Sequence, residues 1–245
     1  MKVGHLSEIF VSFQGEGVHA GRRQLFVRMA GCSLRCRYCD TPDSLERVPR
    51  FIVHEPEGGT RLLPNPIASA AVLEHIARLL ADGESVDGTA LTGGEPLLQA
   101  EFLADLLSHH ALPAPILLET SGVLPDRLRI LLPRVDVVSM DLKLPSNTGE
   151  PEFWEEHREF LAVAGTKAYV KILVDDSTDE AELERAAELV RTTAPEVPVF
   201  LQPITQGDKR AMIRQPALHR YFSVVRSRVA DVRVLPQTHK MIGIL

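Results

Sequence analysis

Three cysteines stand at positions 32, 36 and 39, in the run GCSLRCRYCD, and the 245-residue chain contains no others. Thiols this close have few uses. A structural zinc ion takes four protein ligands as a rule. The loop holds no histidine, so His5, His19 or His54 would have to fold in to complete such a set. A redox pair needs two cysteines and leaves the third unexplained. Three thiolates can instead hold a [4Fe–4S] cluster and leave one iron without a protein ligand, open to a substrate or cofactor. An odd, clustered set fits poorly with a secreted disulfide framework.

Further polar clusters recur along the chain: TGGEP at 92–96, ETSG at 119–122, SMDLK at 139–143, LQPIT at 201–205 and LPQTHK at 235–240. Each follows a short run that alternates or is β-rich. Strands are expected at 6–13, 24–30, 89–96 (running into a Gly-Gly turn), 115–122 (ending in a turn), 135–143 (turning polar at its end), 167–174, 197–205 and 231–240. Helical periodicity falls between them, at 66–83 (ended by Gly83), 99–110, 124–134, 178–194 and, despite Pro216, 212–229. Repeated βα units imply a mostly parallel sheet with helices outside. About six core units are too few to close an eight-stranded barrel. The expected fold is therefore α/β, an open or partial barrel whose ligand sits at the carboxyl ends of the strands. Loops are polar everywhere, but five polar clusters on one rim read as a site.

Bulk properties narrow the class. With 44% hydrophobic and 24% charged residues, the chain reads as one globular domain over 1–245. A net charge of −6 argues against a nucleic-acid partner. No apolar run approaches the roughly 20 residues that span a bilayer, and MKVGHLSEIF lacks a secretory pattern, so a cytoplasmic location is expected. The stretch 42–66 carries Pro42, Pro49, Pro56, Pro64, Pro66 and Gly58-Gly59. It reads as a loop-rich insertion with one short strand at 51–55.

Cys-x3-Cys-x2-Cys, with Tyr38 before the last cysteine, resembles the signature of the radical S-adenosylmethionine enzymes. Thr92-Gly93-Gly94-Glu95-Pro96 resembles that superfamily's GGE motif after the second core strand. The resemblance implies a partial (βα)6 TIM-like barrel and one [4Fe–4S] cluster held by Cys32, Cys36 and Cys39. It implies S-adenosylmethionine on the open iron and hydrogen-atom abstraction from a substrate. The two chain ends narrow the resemblance. SEIFVSFQGEGVHAGRRQLFVRMAGCSLRCRYCDTP at the start and VRVLPQTHKMIGIL at the end are similar to the 7-carboxy-7-deazaguanine synthases. That family turns 6-carboxy-5,6,7,8-tetrahydropterin into 7-carboxy-7-deazaguanine and ammonia, on the way to queuosine and related 7-deazapurines. The resemblance implies abstraction at C6 of the pterin, ring contraction and return of the hydrogen, so that S-adenosylmethionine is regenerated.

Residue roles implied by the resemblance follow. Phe13, Gln14 and Gly15 match the substrate-binding turn, where an amide offers a pterin edge both donor and acceptor. Glu16 would accept from the pterin amino group. Arg28 would pair with the substrate carboxylate through its planar fork. Thr92 matches a substrate contact. Thr41 matches the ligand of Mg2+, with Asp40 as a competing or supporting group and substrate oxygens and water completing the set. Gly94 matches a contact to S-adenosylmethionine, and Glu95 either holds the cofactor through the Gly-Gly turn or serves as a structural cap. Asp141 and Lys143 match the strand end for its ribose and carboxylate, and Ser139 shares their strand face. Gln202, Pro203, Ile204 and Thr205 match a further cofactor-contacting stretch. Glu119 and His239 are the candidate catalytic groups, the histidine suited to the late proton loss. The backbone carboxylate of Leu245 would reach the substrate. The resemblance also implies a homodimer and a flavodoxin-like electron donor.

Two rival readings differ in class. A radical activase for a glycyl radical enzyme would share the cysteine loop and the GGE turn but not FQGEG or the terminal QTHK. A non-catalytic zinc or iron–sulfur interaction module would leave the ring of polar strand ends without a purpose.

Overall fold

Leu6–Phe13 and Arg23–Met29 are buried along most of their length, and they pair antiparallel. The computed structural model describes residues 2–56, 58–81, 85–205 and 211–244. In chain order the strands are β1 (Val3–Gly4), β2 (Leu6–Phe13), β3 (Arg23–Met29), β4 (Arg50–His54), β5 (Thr60–Pro64), β6 (Ile67–Ala68), β7 (Thr89–Gly93), β8 (Ile116–Thr120), β9 (Val137–Asp141), β10 (Ala168–Val174), β11 (Val199–Pro203) and β12 (Val232–Val234). The helices are α1 (Ser69–Leu79), α2 (Ala100–Ser108), α3 (Pro125–Leu131), α4 (Pro145–Thr148), α5 (Trp154–Ala164), α6 (Glu180–Thr193), α7 (Gln215–Arg226) and α8 (Thr238–Ile242).

Ten strands form one open sheet in the order β12-β11-β10-β9-β8-β7-β3-β2-β4-β5. From β3 to β12 every pairing is parallel. The edge strands β12 and β5 do not pair, so the barrel stays partial. Helices cover the outer face, as the right-handed crossover of βαβ units requires. α6 shows the local logic. The Asp179 side chain caps its first turn by accepting from Ala181 N at 2.8 Å, acidic Glu180 and Glu182 follow, and Leu183, Ala186, Ala187 and Val190 form the buried stripe. Pro216 lies in the first turn of α7, where no intrahelical N–H is needed.

Three stretches differ from the sequence expectation, and a fourth, α5, forms a helix where none was read. Residues 42–66 contain a β4–β5 hairpin, which pairs Arg50 with Pro64 through His54 with Thr60 and extends the main sheet beyond β2. Its Pro64 sits on an edge strand, the place in a sheet that tolerates a missing donor. The strand read over 231–240 is confined to β12, and α8 begins at Thr238. The helix read over 66–83 is α1 preceded by β6, and Gly83 lies outside the described residues. Among the described residues no helix is long and apolar enough to cross a membrane.

Candidate active site

Two apolar cores lie on opposite faces of the sheet. The larger one takes residues from the helices. The smaller one comes from strands alone: Phe10, Phe26, Ala90, Leu117, Tyr169 and Phe200. These side chains make an inner floor, with Phe10 stacked on Phe26 at 4.9 Å between centroids. The next inward position along each strand is polar, because strand side chains repeat every two residues. Arg28, Thr92, Glu119, Ser139, Lys171 and Gln202 occupy that level. The register sets Arg28 beside Thr92, Glu119 beside Ser139, and Lys171 beside Asp141. Above them opens a cavity lined by this rim and by the cysteine loop.

Charges on this rim are paired. Asp141 binds Lys143 Nζ at 2.7 Å and Lys171 Nζ at 3.1 Å. Burial alone would raise its pKa, but the two ammonium groups hold it down to about 2. Burial pushes Lys143 and Lys171 down, yet Asp141 beside both raises them well above the ordinary value. Lys171 also ion-pairs with Glu16, whose other oxygen accepts from Gln202 Nε2 at 3.1 Å and Gln237 Nε2 at 2.8 Å. Glu119 is different. Burial raises its pKa, and its bonds are to neutral groups, Gln14 Nε2 at 2.7 Å and Thr92 Oγ1 at 2.8 Å. Arg28 holds Glu8 through Nε at 2.9 Å and lies 5.3 Å from the centroid of the Phe10 ring. Among the described residues its terminal Nη atoms bond no partner.

The opposite wall is the cysteine loop after β3. Cys32, Cys36 and Cys39 are free thiols, and all three line the cavity. Burial raises the pKa of Cys32 and Cys36, so a bound metal would have to displace their protons. Backbone bonds shape the loop: Gly31 N to Ser44 O at 2.8 Å, Cys32 N to Leu45 O at 3.0 Å and Glu95 N to Gly31 O at 2.8 Å. Gly94 packs so closely that a Cβ would meet Gly31 O at 2.4 Å, which explains glycine there. Thr41 lines the same cavity, with Oγ1 4.0 Å from Cys39 Sγ.

The C-terminal segment crosses the mouth. Gln237 Nε2 bonds Asp40 Oδ2 at 2.9 Å as well as Glu16, Lys240 Nζ bonds Asp40 at 2.6 Å, and Thr238 N bonds Gly15 O at 3.1 Å. His239 lies against Gly15, where a Cβ would stand 1.8 Å from its Nδ1. Burial lowers the pKa of His239.

Of the residues expected from sequence, Phe13, Gln14, Gly15, Glu16, Arg28, Thr41, Thr92, Gly94, Glu119, Asp141, Lys143, Gln202, Ile204, Thr205 and His239 line this cavity with the cysteines. Three expected cofactor residues stand elsewhere. Glu95 turns inward as a cap, accepting from Leu97 N, Thr120 Oγ1, Ser121 N and Ser121 Oγ. Ser139 is fully buried on the wall beneath Asp141. Pro203 is turned to the other face by strand alternation. Leu245 lies outside the described residues.

Residues 26–175 match the model of the Radical SAM superfamily. The 7-carboxy-7-deazaguanine synthase of Geobacter sulfurreducens is 36% identical over 246 residues, covering 97% of this chain and 96% of that protein. The proteins of that name from Methanopyrus kandleri and Archaeoglobus fulgidus are 36% and 33% identical, covering 97% and 98% of this chain and 93% and 98% of their own lengths. The chain belongs to the radical SAM superfamily, in the 7-carboxy-7-deazaguanine synthase family. Crystal structures share the fold: QueE from Escherichia coli with a TM-score of 0.63 at 23% identity over 96% of this chain and 94% of that one, and a radical SAM methyltransferase from Sphaerobacter thermophilus with 0.58 at 16% over 94% and 77%.

Membership of the radical SAM superfamily implies a [4Fe–4S] cluster and S-adenosylmethionine. The residues present fit the cluster. Its three thiols share one wall, and among the described residues no three His, Cys, Asp or Glu side chains gather as a mononuclear ion would need. A cluster spreads its thiolates over separate irons and does not need that convergence.

Three members of the site were not picked out in the sequence. Lys171 was hidden inside the apolar run KAYVKILV. Its signal was parity, since it shares the inward face with Tyr169. Gln237 was read only as part of a motif. His157, on α5, accepts from Lys143 N at Nε2 and donates from Nδ1 to Gly122 O, both at 3.0 Å. It thereby ties the SMDLK and ETSG strand ends together, and burial lowers its pKa to about 4, so it stays neutral.

Proposed function

We propose that this enzyme converts 6-carboxy-5,6,7,8-tetrahydropterin to 7-carboxy-7-deazaguanine with release of ammonia. The observation that carries the reading is one shared cavity. A three-cysteine wall faces a rim holding an arginine fork, a buried amide and a carboxylate with a raised pKa.

The cluster with S-adenosylmethionine supplies one-electron abstraction of a hydrogen atom. The chain's own residues do the rest. Arg28 receives the substrate carboxylate on its Nη atoms while Glu8 steadies Nε. Gln14, Thr92 and Glu16 form the wall for the pterin's polar edge, and Phe13 covers it. Glu119, the rim carboxylate without a cation bonded to it, holds a proton more readily than its neighbours and serves the proton steps. His239, kept neutral by burial, accepts the last proton. Asp141 and Lys143 bind the ribose and carboxylate of S-adenosylmethionine, with Gly94 and the stretch from Gln202 to Thr205 beside them. Thr41 supplies one ligand to Mg2+. Asp40 is engaged by Lys240 and Gln237, so substrate oxygens and water complete the sphere. We read the enzyme as a cytoplasmic homodimer reduced by a flavodoxin-like donor. Activase chemistry on a protein loop fits less well, because Gln237 and His239 cross the mouth.

The test is anaerobic turnover of the cluster-loaded enzyme with dithionite, S-adenosylmethionine, Mg2+ and the carboxypterin, followed by mass spectrometry. Product in excess of S-adenosylmethionine consumed is the expected result. Slow release of 5′-deoxyadenosine without product would discard the substrate and keep the superfamily chemistry.

A further inference from the structure

Lys171 is the most enclosed cation of the site. It is 5% exposed, in the middle of β10, and it bonds two carboxylates from different parts of the chain. Glu16 arrives from the turn after β2, and Asp141 from the end of β9. Each carboxylate has further partners on its own side: Gln202 and Gln237 for Glu16, and Lys143 for Asp141. Among the described residues, Lys171 is the one group that bonds both. Two carboxylates on one wall repel each other, and with Lys171 absent only Lys143 would remain to balance Asp141.

We propose that Lys171 is a positioning residue that joins the two halves of the site, setting Glu16 for the pterin and Asp141 for S-adenosylmethionine at once. The inference rests on the proposed roles of Glu16 and Asp141. Its consequence is that one substitution at Lys171 weakens both ligands, whereas substitutions at either end weaken one. A lysine suits the bridge better than an arginine, because a compact ammonium can lie between two carboxylates that approach from different directions.

The experiment measures equilibrium binding to the cluster-loaded enzyme, with S-adenosylmethionine and the carboxypterin titrated separately under anaerobic conditions. Lys171→Met is expected to weaken each ligand by about 10–100-fold, the usual scale for a contact that supports a ligating group. Lys143→Met is expected to weaken only S-adenosylmethionine, and Arg28→Ala only the pterin. Lys171→Arg restores part of both affinities. Loss of one ligand alone in Lys171→Met, or of neither, overturns the bridge. If Lys171→Met does not fold, Glu16→Gln and Glu16→Gln/Lys171→Met are compared, since the double variant strands one carboxylate fewer. S-adenosylmethionine must then bind more weakly to the double variant than to the single one, and equal affinities overturn the proposal. Failure of the unsubstituted enzyme to bind the pterin would instead sink the substrate reading, and the bridge with it. The S-adenosylmethionine titrations separate the two failures.

Discussion

Glu95→Gln separates a structural glutamate from a cofactor-binding one. The Glu95 carboxylate is 1% exposed and accepts four hydrogen bonds: Leu97 N at 3.0 Å, Thr120 Oγ1 at 2.8 Å, and Ser121 N and Oγ at 2.8 and 2.5 Å. A glutamine keeps one of the two acceptor oxygens. If the amide oxygen stays with Leu97 and Thr120, its amino group faces Ser121. The serine hydroxyl can turn to accept from it, but the Ser121 backbone N–H cannot. The stranded N–H and the weakened charge-assisted bonds together cost about 3 kcal/mol. For a domain of this size that is a fall in melting temperature of roughly 6–12 °C. Thermal unfolding of the cluster-free protein reads this without interference from bound ligands. Titration of the loaded protein with S-adenosylmethionine, below the melting range, is expected to give nearly unchanged affinity. A melting temperature within about 2 °C of the parent, joined to a large loss of S-adenosylmethionine binding, would refute the reasoning. It would mean the carboxylate works on the cavity side.

Arg28→Ala leaves the substrate carboxylate unpaired and is expected to raise KM at least tenfold; an unchanged KM removes Arg28 from the site. Glu119→Gln tests the raised pKa. Below its unfolded value of about 4.3 both states hold the proton and the substitution has little effect. As pH rises through the higher folded value, the parent bears a buried charge that the variant lacks, so the variant is the more stable near neutrality. Unfolding curves from pH 4 to 8 that stay parallel would count against it. Gly15→Ala places a methyl on His239 and is expected to displace residues 237–240, weakening pterin binding while cluster absorbance stays intact.

Much of the fold and rim was legible because both obey simple periods. The βα alternation predicted a parallel sheet, and polar residues at strand ends pointed to the rim where the cavity opens. What escaped had a local cause. Lys171 sits mid-strand among apolar neighbours, and only its pairing with Asp141 and Glu16 reveals why a charge is tolerated there. His157 lies in WEEHREFLAVA, a charged segment whose buried stripe of Trp154, His157, Phe160, Leu161 and Ala164 was not recognised as a helix. The β4–β5 hairpin was masked by prolines that mark its edge position rather than the lack of a strand. Glu95 was ambiguous, since a cap and a ligand look alike in GGEP until the partners of the carboxylate are known.

The inner face of the sheet has a floor and a working level, and β3, β7, β8, β10 and β11 contribute one residue to each. This makes the two levels separable under mutation. A change at one rim position re-paints a single panel of the cavity wall, while the aromatic floor that sets its shape stays as it was. New substrates can be explored at Arg28 by itself, whereas Thr92 and Glu119, joined by a hydrogen bond, have to be varied together. The paired strand ends Asp141 and Lys171 are not independent, and a library that randomises either without the other would be spent mostly on misfolded or empty sites.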